Sequence, residues 1–491
     1  MKNGRISFVV FIYIPVFLWL SNTVSAQNLI PQLNFRSNWN LHSHAVSDYP
    51  YNSLWGWTSS SGHEYAIMGS LDSIYFFDVT NPLKIKLCDA WAGKFNNCIN
   101  REFKTYKNYC YAVADHVGCS LQIFDLSFLP DSVHKVYDND TLSSGAHSLF
   151  IDGDRLYLTW NKRAYGPKPN PDIPLTVLSL KNPVSPVYLA DLVAPLGGNG
   201  LPQFEYVHDC FARNDTVYCC CAGAGLYIYN YQNPISPVLL QAITSYNGNQ
   251  PGYNHSCWLN PDGNMLVFTD ETPVPVELYD VSDLKITPNQ PTLRQICTFG
   301  SNDSFGSIGH NAYFKGKYIY MAYYEDGVVI FDMSDSTKVH EITSYDTYPQ
   351  NATRSYGNPV GRGCWNIYPY FPSGNIIASD TRNGLFVLGI DSVSAINSNY
   401  INDNSLDIKI LNNPFTNDIK LAENANSPQK VNICLYDMLG KKLYSSDYYF
   451  APGDNTINIP GDFIPNGAVI LTAATNNSSF TRKLVKVGEH Q

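Results

Sequence analysis

The sequence predicts an all-β chain: a seven-bladed β-propeller closed by its N-terminal strand, followed by a small C-terminal β-sandwich. Three observations carry this. The composition is aromatic and charge-poor, with 35 Tyr, 24 Phe and only 15% charged residues, and aromatic side chains favour the pleated, half-buried surface of a strand. A strand with a fixed ending recurs in "SIYFFDVTNP", "SLQIFDLSFLP", "PLTVLSLKNP", "GLYIYNYQNP", "PVELYDVSD", "GVVIFDMSD" and "GLFVLGID". Its last position holds Asp78, Asp125, Ser179, Asn230, Asp280, Asp332 and Gly389, so successive units lie 47 to 57 residues apart. Units of this length made only of strands match four-stranded propeller blades. No unit shows a 3.6-residue apolar period, which excludes a helical solenoid.

Residues 1–26 read as a secretory signal peptide. Lys2 and Arg5 precede an apolar run from Ile6 to Leu20, and small residues Val24, Ser25 and Ala26 stand before Gln27. About 15 apolar residues interrupted by Pro15 are too few to span a bilayer. No later segment is long and apolar enough, so no membrane span is expected in the mature chain.

Residues 27–392 hold the repeats. Each unit has an inner strand, a second strand such as "YIYMAYY", a polar turn, the recurring strand and a Pro-led outer strand such as "PVLLQAITSY". Proline suits an outer edge, where no ladder bond is needed from its nitrogen. The last unit lacks an outer strand of its own. "LIPQLNFRSN" (Leu29–Asn38) has the right character and would close the ring, removing exposed edges. Residues 393–403 are polar and aperiodic, a linker. Residues 404–491 alternate apolar and polar side chains between turns, as in a small sandwich.

The inner strands carry the candidate site. Counting back from the second strand, one position holds Trp55, Arg101, His147, His208, His255, His310 and Trp365. The chain has 11 histidines, and four share this place. Strands alternate in direction, so the start of each inner strand lies level with the turn after the second strand. Those turns carry Asp115-His116, Asp270-Glu271, Glu325-Asp326 and Asp380, and Asp209 follows His208. A repeated histidine can fasten each unit to its neighbour's backbone, and that is the first reading for most of them. The second reading is ligation: imidazole with carboxylate suits a divalent transition-metal ion, with His147, His208, His255, His310, Asp270 and Glu271 as ligands. Glycan or protein contact would use Trp55, Arg101, Asp209 and Trp365 as well.

Two families resemble parts of the chain. "YNSLWGW" (Tyr51–Trp57), "YVHDC" (Tyr206–Cys210), "NHSCWL" (Asn254–Leu259), "FTDE" (Phe268–Glu271), "GHNAYF" and "CWNIYPYFPSGNIIASDTRNGLFVL" (Cys364–Leu388) resemble the LVIVD-type repeat of secreted "choice-of-anchor B" propellers. That resemblance implies the fold and no reaction. The insertion "NKRAYGPKPNPD" (Asn161–Asp172) departs from it and would form a long loop on the histidine side. "NNPF" (Asn412–Phe415), "LYDMLGKKL" (Leu435–Leu443), "PNGAVILTA" (Pro465–Ala473) and "RKLVKV" (Arg482–Val487) resemble the type A sorting domain of type IX secretion in Bacteroidota. This implies that residues 404–491 engage the type IX secretion machinery, and that the protein is released or attached at the cell surface.

A net charge of −10 with no basic cluster excludes a nucleic-acid partner. The 12 cysteines include no C-x-x-C pair, which removes zinc-ribbon and thioredoxin readings. A disulfide among Cys98, Cys110 and Cys119 would suit export, with no pairing indicated. Two functions stay open: a binding module acting through the histidine-bearing channel face on an extracellular ligand, glycan or protein, and a metal-dependent hydrolase or lyase at the same place.

Overall fold

A computed structural model of the chain describes residues 29–41, 49–164, 172–246, 251–286, 291–302, 307–349, 362–394, 408–425, 427–437, 442–475 and 479–487. The expected signal peptide, most of the expected linker and residues 165–171 of the Asn161–Asp172 insertion lie outside these. The chain divides into one unit of residues 28–394 and another holding residues 395–491.

The fold is all-β. Among the described residues the one helix is a single turn, Asp283–Ile286, and none is long and apolar enough to cross a membrane. The larger unit is built of four-stranded antiparallel sheets. Their first strands are Tyr51–Thr58, Arg101–Tyr106, Ser148–Asp152, Asp209–Arg213, Asn254–Leu259, Asn311–Lys315 and Cys364–Tyr368, here sheets 1 to 7. Each first strand packs against the next, and that of sheet 7 packs against that of sheet 1. This closed circuit is consistent with a β-propeller.

The recurring Asp has a local cause. Asp78, Asp125, Asp280 and Asp332 each accept, through Oδ1, the backbone N–H two residues on, and Asn230 does the same. These Asx turns end the third strand and start the connection to the fourth. Gly389 departs because its strand, Gly384–Ser394, continues into pairing with the N-terminal strand Leu29–Trp39.

That pairing is antiparallel, with Leu33 opposite Ile390 and Trp39 opposite Leu385. One glycine in each of three sheets shows that Leu29–Trp39 occupies the place of a fourth strand. Gly225, Gly327 and Gly384 all have φ between +81° and +92°. A Cβ on them would strike the carbonyls of Ile243, Tyr345 and Trp39 respectively. Ile243 and Tyr345 end the fourth strands of sheets 4 and 6, so Trp39 stands where they do.

Sheet 7 is also tied to sheet 6 through a buried carboxyl. Asp380 accepts from Arg382 N (2.9 Å), Asn383 N (2.7 Å) and Thr347 Oγ1 (2.8 Å). Burial pushes its pKa up to about 7 from 3.8. The folded chain then holds a proton that the unfolded chain releases from about pH 4 upward, so this group's contribution to stability falls as pH rises through that interval and is flat above about 7. Asp380→Asn, which keeps the acceptor and carries no charge, is expected to flatten the decline by roughly 2 kcal/mol between pH 5 and 8. Urea unfolding at both pH values checks it, and equal slopes for the two proteins would refute it.

The C-terminal unit has a three-stranded and a four-stranded sheet. Ile419, Leu421, Val431, Ile433, Leu435, Ile457, Ile459 and Leu471 form its buried core, the alternation expected of half-buried strands.

Candidate functional site

Register places the inner-strand residues in levels. Asn311 pairs with Ala322, and His310 N–H reaches the same residue's carbonyl. The matching residues are His147, whose N–H bonds Thr159 O, and His208, whose N–H bonds Cys220 O. His255 and Trp365 sit at bulges just before Ser256–Thr269 and Asn366–Ser379. The four imidazoles form one contiguous run, with ring centroids 4.0 Å apart for His147–His208, 4.5 Å for His208–His255 and 4.1 Å for His255–His310. Trp365 caps it, 4.9 Å from His310. His208, His255 and His310 are at most 5% exposed.

Their hydrogen bonds fix which nitrogen is available. His255 Nδ1 lies 3.1 Å from His310 O, and His310 Nδ1 lies 2.6 Å from Trp365 O. A carbonyl only accepts, so each Nδ1 carries the proton and each Nε2 presents a lone pair. Backbone fastening and ligand presentation are thus performed by opposite atoms of one ring, as where a carbonyl accepting from the far nitrogen orients a metal-bound histidine. His208 follows the same pattern with the backbone of His255, although no bond of good geometry forms at its buried Nδ1. Burial holds all three rings neutral: His208 and His255 fall well below the usual range, and His310 falls to about 3. Neutral imidazole is the form that ligates.

A carboxylate completes the cluster. Ring nitrogens of His208 and His255 and an oxygen of Glu271 lie within 4.8 Å of one another, and His310 Nε2 is 4.0 Å from Glu271 Oε1. Tetrahedral ligation at bond lengths of about 2.1 Å sets ligand atoms about 3.4 Å apart, so small side-chain rotations close the set. Tyr324 O–H donates to Glu271 Oε1, and its ring lies 4.6 Å from His310. Tyr324 adopts φ +28°, a strained value for an aromatic residue. Its backbone is pinned there by Cys364 N–H at 2.8 Å. The four histidines, though not Glu271, line a cavity of about 30 Å³ with Asn100, Glu102, Lys104, Ser148, Asp209 and Asn311.

Two of the acidic turns act on the following sheet rather than their own. Asp115, in the turn of sheet 2, has Oδ2 3.2 Å from Nδ1 of His147 in sheet 3, and Glu271, in sheet 5, reaches His310 in sheet 6. His147 is also 3.1 Å from Asn100 Nδ2. Asp270 does not join: its carboxylate accepts from Tyr246 O–H (2.6 Å) and Gly252 N (3.0 Å). Side chains alternate along a strand, so of this adjacent pair Glu271 alone meets the histidines.

Two further expectations change. Trp55 pairs with Ile67, the register of Tyr313 opposite Tyr320, so it lies three residues deeper in the channel than the histidines. The longer hairpin of sheet 1 and a bulge between Tyr51 and Leu54 account for the slip, and Asn52 stands nearest the histidine level. Arg101 has the expected register but no free face. Buried at 2% exposure, it donates to Ser70 O (2.9 Å), Leu71 O (3.1 Å) and Phe95 O, which fastens sheet 2 to sheet 1. Arg101→Ala strips donors from three carbonyls and is expected to cost about 3–5 kcal/mol in urea unfolding; a loss below about 1 kcal/mol would show the guanidinium to be dispensable.

Asp209 lies one residue below the histidines, in a level formed by Ser53, Glu102, Ser148, Asp209, Ser256, Asn311 and Asn366. Ser148 Oγ donates to Asp209 (2.7 Å) and Ser53 Oγ to Glu102 (2.8 Å). Burial raises both carboxyls, Glu102 to about 7. This level passed unnoticed in the sequence, although each member directly follows its histidine-level residue. All 12 cysteines are free, so the expected disulfide does not appear; Cys98 and Cys119 do pack in one small cluster.

No curated protein matches the sequence. Solved structures with a similar chain path include the periplasmic gluconolactonase of Pseudomonas aeruginosa, with 11% identity and TM-score 0.47 over 83% of this chain and 99% of that one. A proposed 6-phosphogluconolactonase of Bacteroides uniformis has 12% identity and TM-score 0.46 over 84% and 100%. Residues 409–487 match the family model described as the secretion system C-terminal sorting domain. The C-terminal unit is therefore a type IX secretion sorting domain, the address of a secreted, surface-attached protein.

Proposed function

We propose that the protein is a secreted, surface-attached seven-bladed propeller of LVIVD type, released into export by cleavage after residue 26 and closed by Leu29–Trp39. It binds a divalent transition-metal ion at the histidine end of its channel. His208, His255 and Glu271 are the ligands, with His310 beside them, and the ion is the anchoring point for an extracellular ligand. The carrying observation is the convergence of neutral, buried ring nitrogens on a carboxylate while the opposite ring atoms of His255 and His310 are fixed by backbone carbonyls.

The cavity that the histidines line, about 30 Å³, has room for no more than an ion and one or two waters beside them. That favours binding over the hydrolase or lyase alternative, which needs a substrate bond beside the metal-bound water. Titration of chelator-treated protein with zinc in a calorimeter tests the reading. One saturable site per chain is expected, and the absence of saturable heat would overturn it.

A further inference from the structure

The opposite mouth of the channel carries a second set of residues that the histidine centre does not use. At the register of Tyr313 the inner strands place Trp55, Lys104, Phe150, Phe211, Trp258, Tyr313 and Tyr368. Six of these are aromatic and one is a cation. Trp258 lies across the channel: its ring is 4.8 Å from Phe211, 5.6 Å from Phe150, 4.8 Å from Tyr313, 6.1 Å from Tyr370 and 6.4 Å from Trp55. Those partners belong to sheets 4, 3, 6, 7 and 1. The indole is thus the floor of a cup of about 280 Å³, walled by Trp55, Lys104, Phe150, Tyr368 and Tyr370. Trp258 forms the floor at this level, and Lys104 lines both the cup and the histidine cavity beyond it.

Lys104 is the anomaly. Its Nζ lies 4.1 Å from the centre of the Trp55 ring and donates only to the neighbouring Phe103 carbonyl, at 3.3 Å. Among the described residues it forms no ion pair. Its charge also acts at longer range on the buried carboxyls of Glu102 and Asp209, while the indole face holds the ammonium at the cup, within reach of an anion there. Other long cations of the channel mouth are consumed: Arg213 bonds the carbonyls of Asn260, Pro261 and Leu259, and Lys315 bonds Pro369 O.

We infer that this cup is a binding site for a small ring-bearing monocarboxylate, stacked flat on Trp258 with its carboxylate on Lys104. Aromatic walls supply the stacking surface for an aryl ring or the C–H face of a sugar ring, and the ammonium supplies the one charge-assisted contact. A cup of this size accepts one such ring. Lys104 is the one cation lining the cup, so a single carboxylate is matched and a second would have no partner there.

The test titrates the full chain with sodium benzoate and sodium D-glucuronate, and with benzyl alcohol and methyl glucoside as neutral counterparts, following tryptophan fluorescence and heat. At least one carboxylate is expected to saturate, with its neutral counterpart weaker by about tenfold or more. The arm that responds identifies the ring as aryl or sugar. Lys104→Met should abolish the difference between charged and neutral ligands, and Lys104→Arg should preserve it. Lys104 is partly buried at the mouth, and an unchanged thermal midpoint in both variants secures the comparison. Failure of both carboxylates to saturate wild type, or equal binding by Lys104→Met, overturns the proposal. Repeating the titration on chelator-treated protein should give the same affinity, since the cup does not depend on the metal centre.

Discussion

Removing residues 28–39 is expected to abolish the folded larger unit. Among the described residues, Leu29–Trp39 is the only partner of the outer edge of Gly384–Ser394, through pairs running from Leu29–Ser394 to Trp39–Leu385. It also binds its neighbours. Phe35 stacks on Tyr345 of sheet 6 at 6.1 Å, Leu33 N–H bonds Thr343 Oγ1 at 2.9 Å, and Trp39 packs on Tyr75 and Phe77 of sheet 1 at 5.2 and 4.6 Å. Losing a whole strand removes buried aromatic area and a ladder of backbone bonds, more than the roughly 5–15 kcal/mol that keeps a domain folded. The bared edge would also recruit other chains. The truncated protein should be recovered aggregated or without a cooperative thermal transition. A synthetic peptide of residues 28–41, supplied during refolding, should restore the transition by adding the missing strand. A soluble truncated protein with the wild-type midpoint would contradict the closure.

The second large effect concerns the proposed metal centre. Zinc added to chelator-treated protein is expected to raise the thermal midpoint by on the order of 5 °C, because a ligand present far above its dissociation constant stabilises by a few kcal/mol. The fastening and ligating roles of the histidines can be separated by substitution. In His255→Asn, Nδ2 stands close to the position of the imidazole Nδ1 and can still donate to the His310 carbonyl, whereas the lone pair of Nε2 is gone. This variant should keep the metal-free midpoint near that of wild type and lose the response to zinc. If His255→Asn responds to zinc as wild type does, the imidazole is a fastener and nothing more.

The strand period, the separate sorting domain and the shared register of His147, His208, His255 and His310 were legible in the sequence. They follow from local rules: Asx turns ending a strand, two-residue alternation, and hairpins of equal length. Trp55 was misplaced where those rules fail, since the hairpin after Trp57 is longer and a bulge shifts the count. Arg101 was placed correctly in register, but its three carbonyl partners come from sheet 1 and its connection onward. No spacing along the chain encodes them. The choice of Glu271 over Asp270 needed side-chain direction at a strand end. Lys104 and the aromatic level stayed hidden because isolated aromatics in strands read as ordinary core until their register is known.

Elemental analysis of the purified mature protein, beside a His208→Ala/His255→Asn double variant, tests the central claim most directly. About one transition-metal ion per wild-type chain, after incubation with zinc and removal of excess, and none in the variant, is the result that a site of two imidazoles and Glu271 requires. Wild-type protein without stoichiometric metal, or a variant that retains as much as wild type, would contradict it.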